Sequence, residues 1–528
     1  MATKLNSFYM ANSVFASLPE DCNYIYNPSF AELREMILKM PNARLTKYDN
    51  INVATRITSR SKPNTFIVSD DPKKCSAQTI KVADAEKMAV IQNEYLKGKT
   101  MIVIDGYIGN DPEFRTKARL VIEPSSANIA AMQKALYYPL EKYENENYVP
   151  EVTVVYTPNL KAEGYLDERL IACDTDSNVT RIFNSDYFGE SKKGGLRMWN
   201  KIVYDRGGLP MHAGSKIVPT DKGEKTLLII GLSGTGKTTT TFTTQNNSRP
   251  VQDDFVALMP NGRVYATEAG CFAKTFGLNP ETEKVIHDAV ISPAAYLENV
   301  SENDKGELDF FDTSYSKNGR AVFSLDAIPV AGKAEEIKKA DALIILNKNE
   351  NIIPAVAKLN REQAAAYFML GETTGTSAGG ASEEGKAMRV PGTNPFFPMR
   401  DDKQGNRLAE LIDKVGLEVY IMNTGRVGGP EDNPNSRKIK IPHSSAVVKG
   451  ICEETIEWET DPDFGYLIAK KVPGIEDADI EVLQPKKLYE RTGRINDYMA
   501  VVERLKNERR DFFKNYPELD PKIYSIFN

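Results

Sequence analysis

The chain has 528 residues, with 67 lysines and arginines against 73 aspartates and glutamates, which gives a formal net charge of −6. Hydrophobic residues make up 41 % and charged residues 27 % of the sequence. This composition is typical of a globular protein, and the length suffices for about two to four domains. It argues against large-scale disorder and against a basic nucleic-acid-binding surface. No window holds about 18 consecutive apolar residues, so we expect no transmembrane helix.

The cysteines are few and scattered along the chain. All five lie far apart and none forms a CxxC pair, which argues against a disulfide framework and a structural zinc site and fits a reducing compartment. The first residues contain no apolar segment of the length that a secretory signal requires. We therefore expect a cytoplasmic protein with neither a membrane nor a nucleic acid as its partner. The sequence leaves the oligomeric state open.

Apolar and helix-forming segments alternate along the chain. Short β-branched segments predict buried strands at residues 101–105, 152–156, 227–230 and 342–347. Strong helix formers predict helices at 125–136, which opens with a serine cap, at 360–370 and at 496–513. Strands and helices mixed along the whole length predict an α/β fold.

Turn-rich segments divide the chain. Gly, Thr and Ser dominate residues 371–385, and a loop of this length is typical of a lid over a site. Residues 425–437 form a second predicted loop. The Gly-Gly-Leu-Pro turn at 207–210 predicts a boundary between an N-terminal domain, residues 1–209, and a C-terminal domain, residues 210–528, which contains the lid loop 371–385.

A glycine-rich segment after the predicted strand at 227–230 indicates a triphosphate site. It fits the pattern GxxxxGK[ST] at every fixed position, and its residues are Gly231, Leu232, Ser233, Gly234, Thr235, Gly236, Lys237 and Thr238. Glycines allow backbone N–H groups to converge on phosphate oxygens. We expect Lys237 to reach the β- and γ-phosphates and the Thr238 hydroxyl to bind Mg²⁺. The strand before the segment and the helix-forming threonines after it argue against a turn without a ligand.

Two adjacent carboxylates, Asp253 and Asp254, follow fifteen residues after Thr238. Divalent cations require oxygen ligands, and an acidic residue near a phosphate loop is the usual supplier. A solvent-facing Asp-Asp pair is the alternative. The position beside the phosphate loop favours a metal-binding role.

Several motifs around this loop occur in a specific order. They are Tyr187-Phe-Gly-Glu-Ser-Lys192-Lys193-Gly, Leu209-Pro-Met-His212, Glu268-Ala-Gly-Cys-Phe-Ala-Lys274 and Leu297-Glu-Asn-Val300. Order and spacing resemble the ATP-dependent phosphoenolpyruvate carboxykinase family over roughly residues 50–450. The resemblance implies an α/β, two-domain fold with an N-terminal substrate-binding domain, a P-loop mononucleotide-binding C-terminal domain and the active site between them. The implied reaction converts oxaloacetate and ATP into phosphoenolpyruvate, CO₂ and ADP.

The resemblance also implies roles for individual residues. Lys193, His212 and Asp254 match the family's ligands for Mn²⁺, and Mg²⁺ accompanies the nucleotide at Thr238. Lys192, Asp253, Lys237 and Arg320 match residues that surround the transferred phosphoryl group. Arg60, Tyr187 and Lys193 match residues that hold the organic acid. Arg437 and Ser444 match the adenine side of the site.

The chain departs from the family pattern at several points. Phe255 and Val256 follow the paired aspartates in place of Glu-His, the lid segment has no lysine, and Pro442-His-Ser-Ser445 replaces Asp-Thr-Arg near the adenine. Two other hypotheses therefore stay open. One is a kinase on the same scaffold with a different phosphoryl acceptor, and the other is a nucleotide-binding homologue without catalysis.

Overall fold

The computed structural model describes residues 13–19, 21–140, 148–232, 234–242, 244–281, 283–337, 339–374 and 387–527. Helices and strands are mixed along all of these ranges. The helices are α1 Phe30–Leu38, α2 Val82–Leu96, α3 Ala127–Leu136, α4 Phe188–Asp205, α5 Lys237–Phe242, α6 Lys284–Val290, α7 Arg361–Leu370, α8 Asp402–Val415, α9 Ile441–Glu453, α10 Pro485–Arg491, α11 Ile495–Phe513 and α12 Pro521–Tyr524.

The strands are numbered in chain order. Those that begin before residue 210 are β1 Asn23–Tyr26, β2 Ala43–Leu45, β3 Ile51–Val53, β4 Thr65–Val68, β5 Thr79–Ile80, β6 Thr100–Ile108, β7 Thr116–Ile122, β8 Val152–Thr157, β9 Leu170–Asp174, β10 Val179–Phe183 and β11 Leu209–Met211. The next are β12 Ala213–Thr220, β13 Gly223–Ile230, β14 Arg249–Gln252, β15 Val256–Leu258, β16 Val264–Ala266, β17 Gly270–Lys274, β18 Tyr296–Glu298, β19 Ser301–Glu302, β20 Leu308–Asp309 and β21 Arg320–Ser324. The last are β22 Ala342–Asn347, β23 Val356–Leu359, β24 Glu372–Thr374, β25 Ala387–Arg389, β26 Glu418–Asn423, β27 Arg426–Val427, β28 Arg437–Lys438, β29 Glu457–Thr460 and β30 Leu467–Lys471.

An eight-stranded mixed sheet organises the N-terminal half. Its strand order is β1-β6-β7-β8-β10-β9-β4-β5. Helices α3 and α4 pack on one face, where Ile104, Leu120 and Trp199 belong to one buried apolar cluster. The strands of this sheet are almost continuously apolar because helices and loops cover both faces.

A second eight-stranded sheet organises the C-terminal half. Its order is β14-β12-β13-β22-β26-β23-β30-β29, and β13, β22 and β26 at its centre are parallel. Helix α7 packs against α8 on one side, and α9 contributes to the buried cluster on the other. The carboxyl ends of the three parallel strands therefore lie at one edge, which is where ligands bind in open α/β sheets.

A five-stranded sheet joins the two halves. Its order is β17-β21-β18-β3-β2, and β3 from the N-terminal half pairs in parallel with β18. Phe255 and Phe396, which come from the C-terminal half, also belong to the apolar cluster of the first sheet. The two halves thus share both hydrogen bonds and core. The boundary near residue 209 stays a prediction.

Most of the predicted elements are confirmed. The four predicted strands lie within β6, β8, β13 and β22, and the predicted helices correspond to α3, α7 and α11. The serine cap of α3 is wrong: Ser126 makes no capping hydrogen bond, and the Ser125 hydroxyl accepts one from Asn159 at 3.0 Å instead. Residues 372–374 of the predicted lid loop form strand β24, and residues 375–385 lie outside the described part.

Asn360 caps α7, and its loss is expected to destabilise the protein. The Asn360 side chain accepts a hydrogen bond from the Gln363 N–H at 2.9 Å, and the Gln363 side chain accepts one from the Asn360 N–H at 3.0 Å. Asn360→Ala should lower the free energy of unfolding by about 1 kcal/mol in urea denaturation, because the backbone N–H of Gln363 loses its side-chain acceptor. Asn360→Ser keeps an acceptor and should lose much less. Equal losses in both variants would contradict the capping role.

Candidate active site

The carboxylate of Asp254 is the centre of a buried cluster of basic groups. Its Oδ2 lies 2.8 Å from the Lys192 Nζ and also contacts the Lys193 Nζ, and its Oδ1 lies 2.7 Å from the His212 Nε2 and 3.8 Å from the Lys237 Nζ. Asp254 lies in the short turn between β14 and β15. Burial alone would raise the pKa of Asp254, but the two lysines and His212 outweigh it and hold that pKa well below its usual range.

Helix α4 supplies the two lysines from its first turns. Lys192 is almost fully buried and forms a second ion pair with Glu268, with Nζ and Oε2 2.8 Å apart. Burial favours the neutral amine, but the two carboxylates raise the pKa of Lys192 above its usual value. Lys193 has one carboxylate partner, and burial together with the neighbouring charge of Lys192 lowers its pKa to about 8. The two adjacent lysines are therefore unlike: Lys192 is held as an ammonium, and Lys193 releases its proton easily.

His212 lies between β11 and β12, and both of its ring nitrogens face oxygen atoms. Its Nδ1 is 2.8 Å from the carbonyl oxygen of Thr393, which only accepts hydrogen bonds, so Nδ1 carries a proton and donates it. The ring of Phe255 stacks on the imidazole with centroids 5.1 Å apart, and burial lowers the pKa of His212. In the neutral ring the Nε2 lone pair then faces the Asp254 carboxylate. Two acceptors this close require a cation between them, either a proton or a metal ion.

The glycine-rich segment lies directly after β13, at the carboxyl edge of the C-terminal sheet. Gly234 and Gly236 have φ angles of +88° and +89°, a conformation that side chains with a Cβ rarely adopt. Helix α5 begins at Lys237, whose Nζ donates to the carbonyl oxygen of Asp253 and lies 4.0 Å from its Oδ1. Ser233 lies outside the described residues. Helix α5 follows the glycine-rich segment directly, and its first residue, Lys237, lies beside the paired aspartates.

A pocket of about 210 Å³ adjoins this segment. Gly234, Thr235 and Gly236 line one side, and Ser444 on α9 lines another. Arg437 lies outside this lining, because its guanidinium is 3.6 Å from Glu481 and donates to the carbonyl of Ser436. The structure therefore brings Ser444, but not Arg437, beside the glycine-rich segment.

The Phe272 ring gathers the groups predicted to face the acid and the γ-phosphate. The Arg320 guanidinium lies 5.0 Å and the Lys192 Nζ 5.6 Å from its centroid. The Tyr187 ring lies 6.4 Å away, and its hydroxyl accepts a hydrogen bond from Asn318 at 3.3 Å. Arg320, Tyr187 and Lys192 are therefore neighbours around one ring.

Arg60 reaches the cluster from a different side. Its guanidinium lies 5.5 Å from the centroid of the Phe396 ring, and the Lys193 Nζ lies 4.5 Å from the same centroid. Arg60 also lines a larger pocket of about 620 Å³. Arg60 and Lys193 therefore both lie against the ring of Phe396.

Among the predicted residues, the structure joins Lys192, Lys193, His212, Asp253, Asp254 and Lys237 by direct contacts, and it brings Arg60, Tyr187 and Arg320 to their edge. Three further residues were missed. Glu268 is the first residue of the motif Glu268–Lys274 but was given no role of its own, and its place in that motif is a usable signal. Phe272 lies in the same motif, where it was given no role of its own, and nothing in the sequence marks Phe396.

Glu298 is a buried carboxyl at the base of this region. It is fully buried, its Oε1 accepts the Phe188 N–H at 2.9 Å, and its Oε2 has no hydrogen-bond partner within the described residues. Burial raises the pKa of Glu298 to about 8. The carboxyl therefore holds a proton at the start of α4 at neutral pH.

The described ranges contain no group of three His, Cys, Asp or Glu side chains arranged to hold a metal. The candidate set here uses a lysine as its third donor. Over the same ranges, no helix is both long enough and apolar enough to cross a membrane.

Comparison with known proteins agrees with the fold and the clustered motifs. The family model described as phosphoenolpyruvate carboxykinase matches residues 22–478. The chain therefore belongs to the phosphoenolpyruvate carboxykinase family.

The similar curated proteins are named as ATP-dependent members. The protein named phosphoenolpyruvate carboxykinase (ATP) from Caldanaerobacter subterraneus subsp. tengcongensis is 30 % identical over 521 residues, which cover 95 % of this chain and 96 % of that protein. The one from Aeropyrum pernix is 30 % identical over 445 residues, covering 82 % and 85 %. The one from a Bradyrhizobium species is 31 % identical over 443 residues, covering 81 % and 80 %.

Glu298 is expected to make stability fall as the pH rises. Between about pH 4.5 and 8 the folded protein keeps a proton on Glu298 that the unfolded chain has released, so the free energy of unfolding decreases by about 1.4 kcal/mol per pH unit from this group alone. Glu298→Gln should remove that decrease. Its advantage over the unmodified protein in urea denaturation should be larger at pH 8 than at pH 5. The exposed Glu307→Gln is the control, and an equal advantage at both pH values would contradict the assignment.

Proposed function

We propose that this chain converts oxaloacetate and ATP into phosphoenolpyruvate, CO₂ and ADP. The observation that carries the proposal is the position of Asp254, in contact with Lys192, Lys193 and His212 and 3.8 Å from Lys237 of the glycine-rich segment. A nucleotide and an organic acid bound at this carboxylate would meet. Family membership and the names of the relatives support the same reaction.

The proposed nucleotide site uses the glycine-rich segment. Its backbone amides would cradle the phosphates of ATP, with Lys237 at the β- and γ-phosphates and Thr238 at Mg²⁺. Asp253 supports a cation here, since its Oδ1 is buried without a hydrogen-bond partner among the described residues. The pocket of about 210 Å³ beside Ser444 would take the nucleoside. Arg437 stays a prediction for the adenine side.

Lys193, His212 and Asp254 are proposed to hold Mn²⁺. The donor set fits such an ion: the Nε2 lone pair of His212 faces the carboxylate, and a pKa of about 8 makes the neutral amine of Lys193 accessible. When bound, the ion would supply Lewis-acid stabilisation of negative charge on the substrate. Lys193 must release its Nζ proton to act as a ligand.

The protein's own groups would do the remaining work. Loss of CO₂ from oxaloacetate leaves an enolate, and the ammonium of Lys192, fixed by Asp254 and Glu268, would stabilise its oxygen electrostatically. Arg60 and Tyr187 would orient the acid, and Arg320 would neutralise charge on the phosphoryl group during its transfer. The N-terminal domain, residues 1–209, would then bind the acid, and residues 210–528, with the lid loop 371–385, the nucleotide. We propose the cytoplasm as its location.

The direct test is an assay of the purified protein with oxaloacetate, ATP, Mg²⁺ and Mn²⁺ that follows phosphoenolpyruvate and ADP. Both products should form together. Lys237→Ala should lower kcat by at least about a hundredfold, because the phosphates lose an electrostatic interaction with the ammonium group that is stronger in the transition state. The exposed Lys222→Ala is the control and should retain activity. ADP formation that depends on oxaloacetate without phosphoenolpyruvate would favour the kinase hypothesis, and nucleotide binding without turnover would favour the inactive homologue.

His212→Gln should weaken the binding of Mn²⁺ more than the binding of ATP. Loss of the imidazole ligand should raise the Mn²⁺ concentration needed for half-maximal stimulation by about tenfold or more, since even the outer partners of metal ligands are worth that much. The affinity for ATP, measured by calorimetry, should change far less. His287→Gln, which removes a histidine distant from Asp254 in the sequence and paired with Asp288, is the control. An unchanged Mn²⁺ response in His212→Gln would contradict the ligand role.

A further inference from the structure

Arg197 is a buried arginine without an acidic partner. It lies one helical turn after Lys193 on α4, and the residue is only 6 % exposed. Its recorded polar contact is with the Cys173 Sγ, 4.0 Å from Nη1, and no carboxylate of the described residues lies within ion-pair distance. A thiol is a weak acceptor, and a buried guanidinium without an anion is costly. The guanidinium is therefore available to pair with an anion that enters from the adjoining pocket.

Arg197 lines the pocket of about 620 Å³. Its guanidinium lies 5.4 Å from the Phe396 centroid, and that of Arg60 lies 5.5 Å from the same centroid. Two cationic side chains of the lining therefore converge on one ring. The volume is in the range of sites that take small organic molecules.

Arg389 and Asp401 are two further charged residues of the lining, which also includes Lys62. Arg389 is neutralised by Glu372 and Glu508, at 3.1 Å and 3.2 Å. Asp401 is the acidic residue of the lining; its Oδ1 accepts from Gln404, and burial raises its pKa to about 7. The pocket thus keeps an uncompensated positive charge at Arg197. Proline and aromatic side chains form much of its remaining wall.

We propose that this pocket binds a small organic carboxylate whose carboxylate group pairs with Arg197. A planar guanidinium matches a carboxylate in a bidentate arrangement, and one arginine balances its single charge. The apolar wall suits the carbon body of an organic acid better than it suits inorganic phosphate. The carboxylate belongs either to the acid substrate, reached through Arg60, or to a second organic acid. The inference does not depend on the proposed reaction, because binding can be measured without turnover.

The test is calorimetric titration of the full chain with succinate as the probe, without nucleotide or metal. The unmodified protein should bind succinate, and Arg197→Met should weaken binding by about tenfold or more, the value of a lost charged hydrogen-bond pair. Arg197→Lys should recover part of it. Arg206 comes directly after the last residue of α4. Arg206→Met is the matched control and should bind succinate as tightly as the unmodified protein does. Absence of binding, or equal affinity in Arg197→Met, would overturn the proposal.

Melting temperatures separate this role from a structural one. Removing an unpaired buried charge should leave the melting temperature of Arg197→Met unchanged or raise it. Succinate should raise the melting temperature of the unmodified protein and not that of the variant. A variant that melts at lower temperature while succinate still stabilises it would overturn the proposal. A stronger shift of the unmodified protein with inorganic phosphate than with succinate would overturn the carboxylate assignment.

Competition identifies the source of the carboxylate. In the assay with oxaloacetate, competitive inhibition by succinate that Arg197→Met abolishes would support the substrate's own carboxylate as the occupant. Noncompetitive modulation that the same variant abolishes would support a second organic acid. Inhibition that the variant leaves intact would overturn the assignment to Arg197. If the protein has no such activity, the titration still decides whether the site exists.

Discussion

The architecture of the site depends on charge balance around one buried carboxylate. Asp254 faces two lysines and a histidine in a region that excludes water, and a third lysine lies 3.8 Å away. A buried charge is tolerated only when it is paired, so none of these groups can be understood alone. Glu268 is the second carboxylate of the cluster, and it forms an ion pair with Lys192. Within the described ranges, Lys193 pairs only with Asp254, which also pairs with Lys192. Lys193 is therefore the lysine of this cluster that releases its proton most easily.

Aromatic rings make this balance possible. Phe255 and Phe396 lie 4.9 Å and 4.5 Å from the Lys193 Nζ and exclude water from it, which favours its neutral form. The family pattern has a glutamate where Phe255 stands, and a carboxylate there would favour the ammonium instead. An aromatic ring at this position therefore favours the neutral amine that Lys193 needs as a metal ligand. The Phe255 ring also stacks on His212 and fixes the plane of the imidazole.

The sequence predicts the local elements well and the site in part. Residues 342–347 form a strand because their β-branched side chains suit a sheet that is covered on both faces, and this depends on short-range pattern alone. The glycine-rich segment is equally local, because Gly234 and Gly236 adopt positive φ angles that glycine reaches without strain. Phe396 could not be predicted. It contacts Lys193 although the two residues lie about two hundred positions apart, and the sequence around Phe396 contains no pattern that indicates this contact.

Helix α4 connects the core of the N-terminal sheet with the cluster around Asp254. Its Trp199 packs in the core of the N-terminal sheet, while Lys192 and Lys193 extend to a carboxylate that belongs to the other half of the chain. The shared five-stranded sheet joins the two halves by hydrogen bonds between β3 and β18, and the lysines meet Asp254 across the same junction. A helix position one turn after Lys193 must then face the same ring, Phe396, because residues four apart lie on one side of a helix. The geometry that brings Lys193 to the centre of the site is therefore the same geometry that buries Arg197 beside the larger pocket.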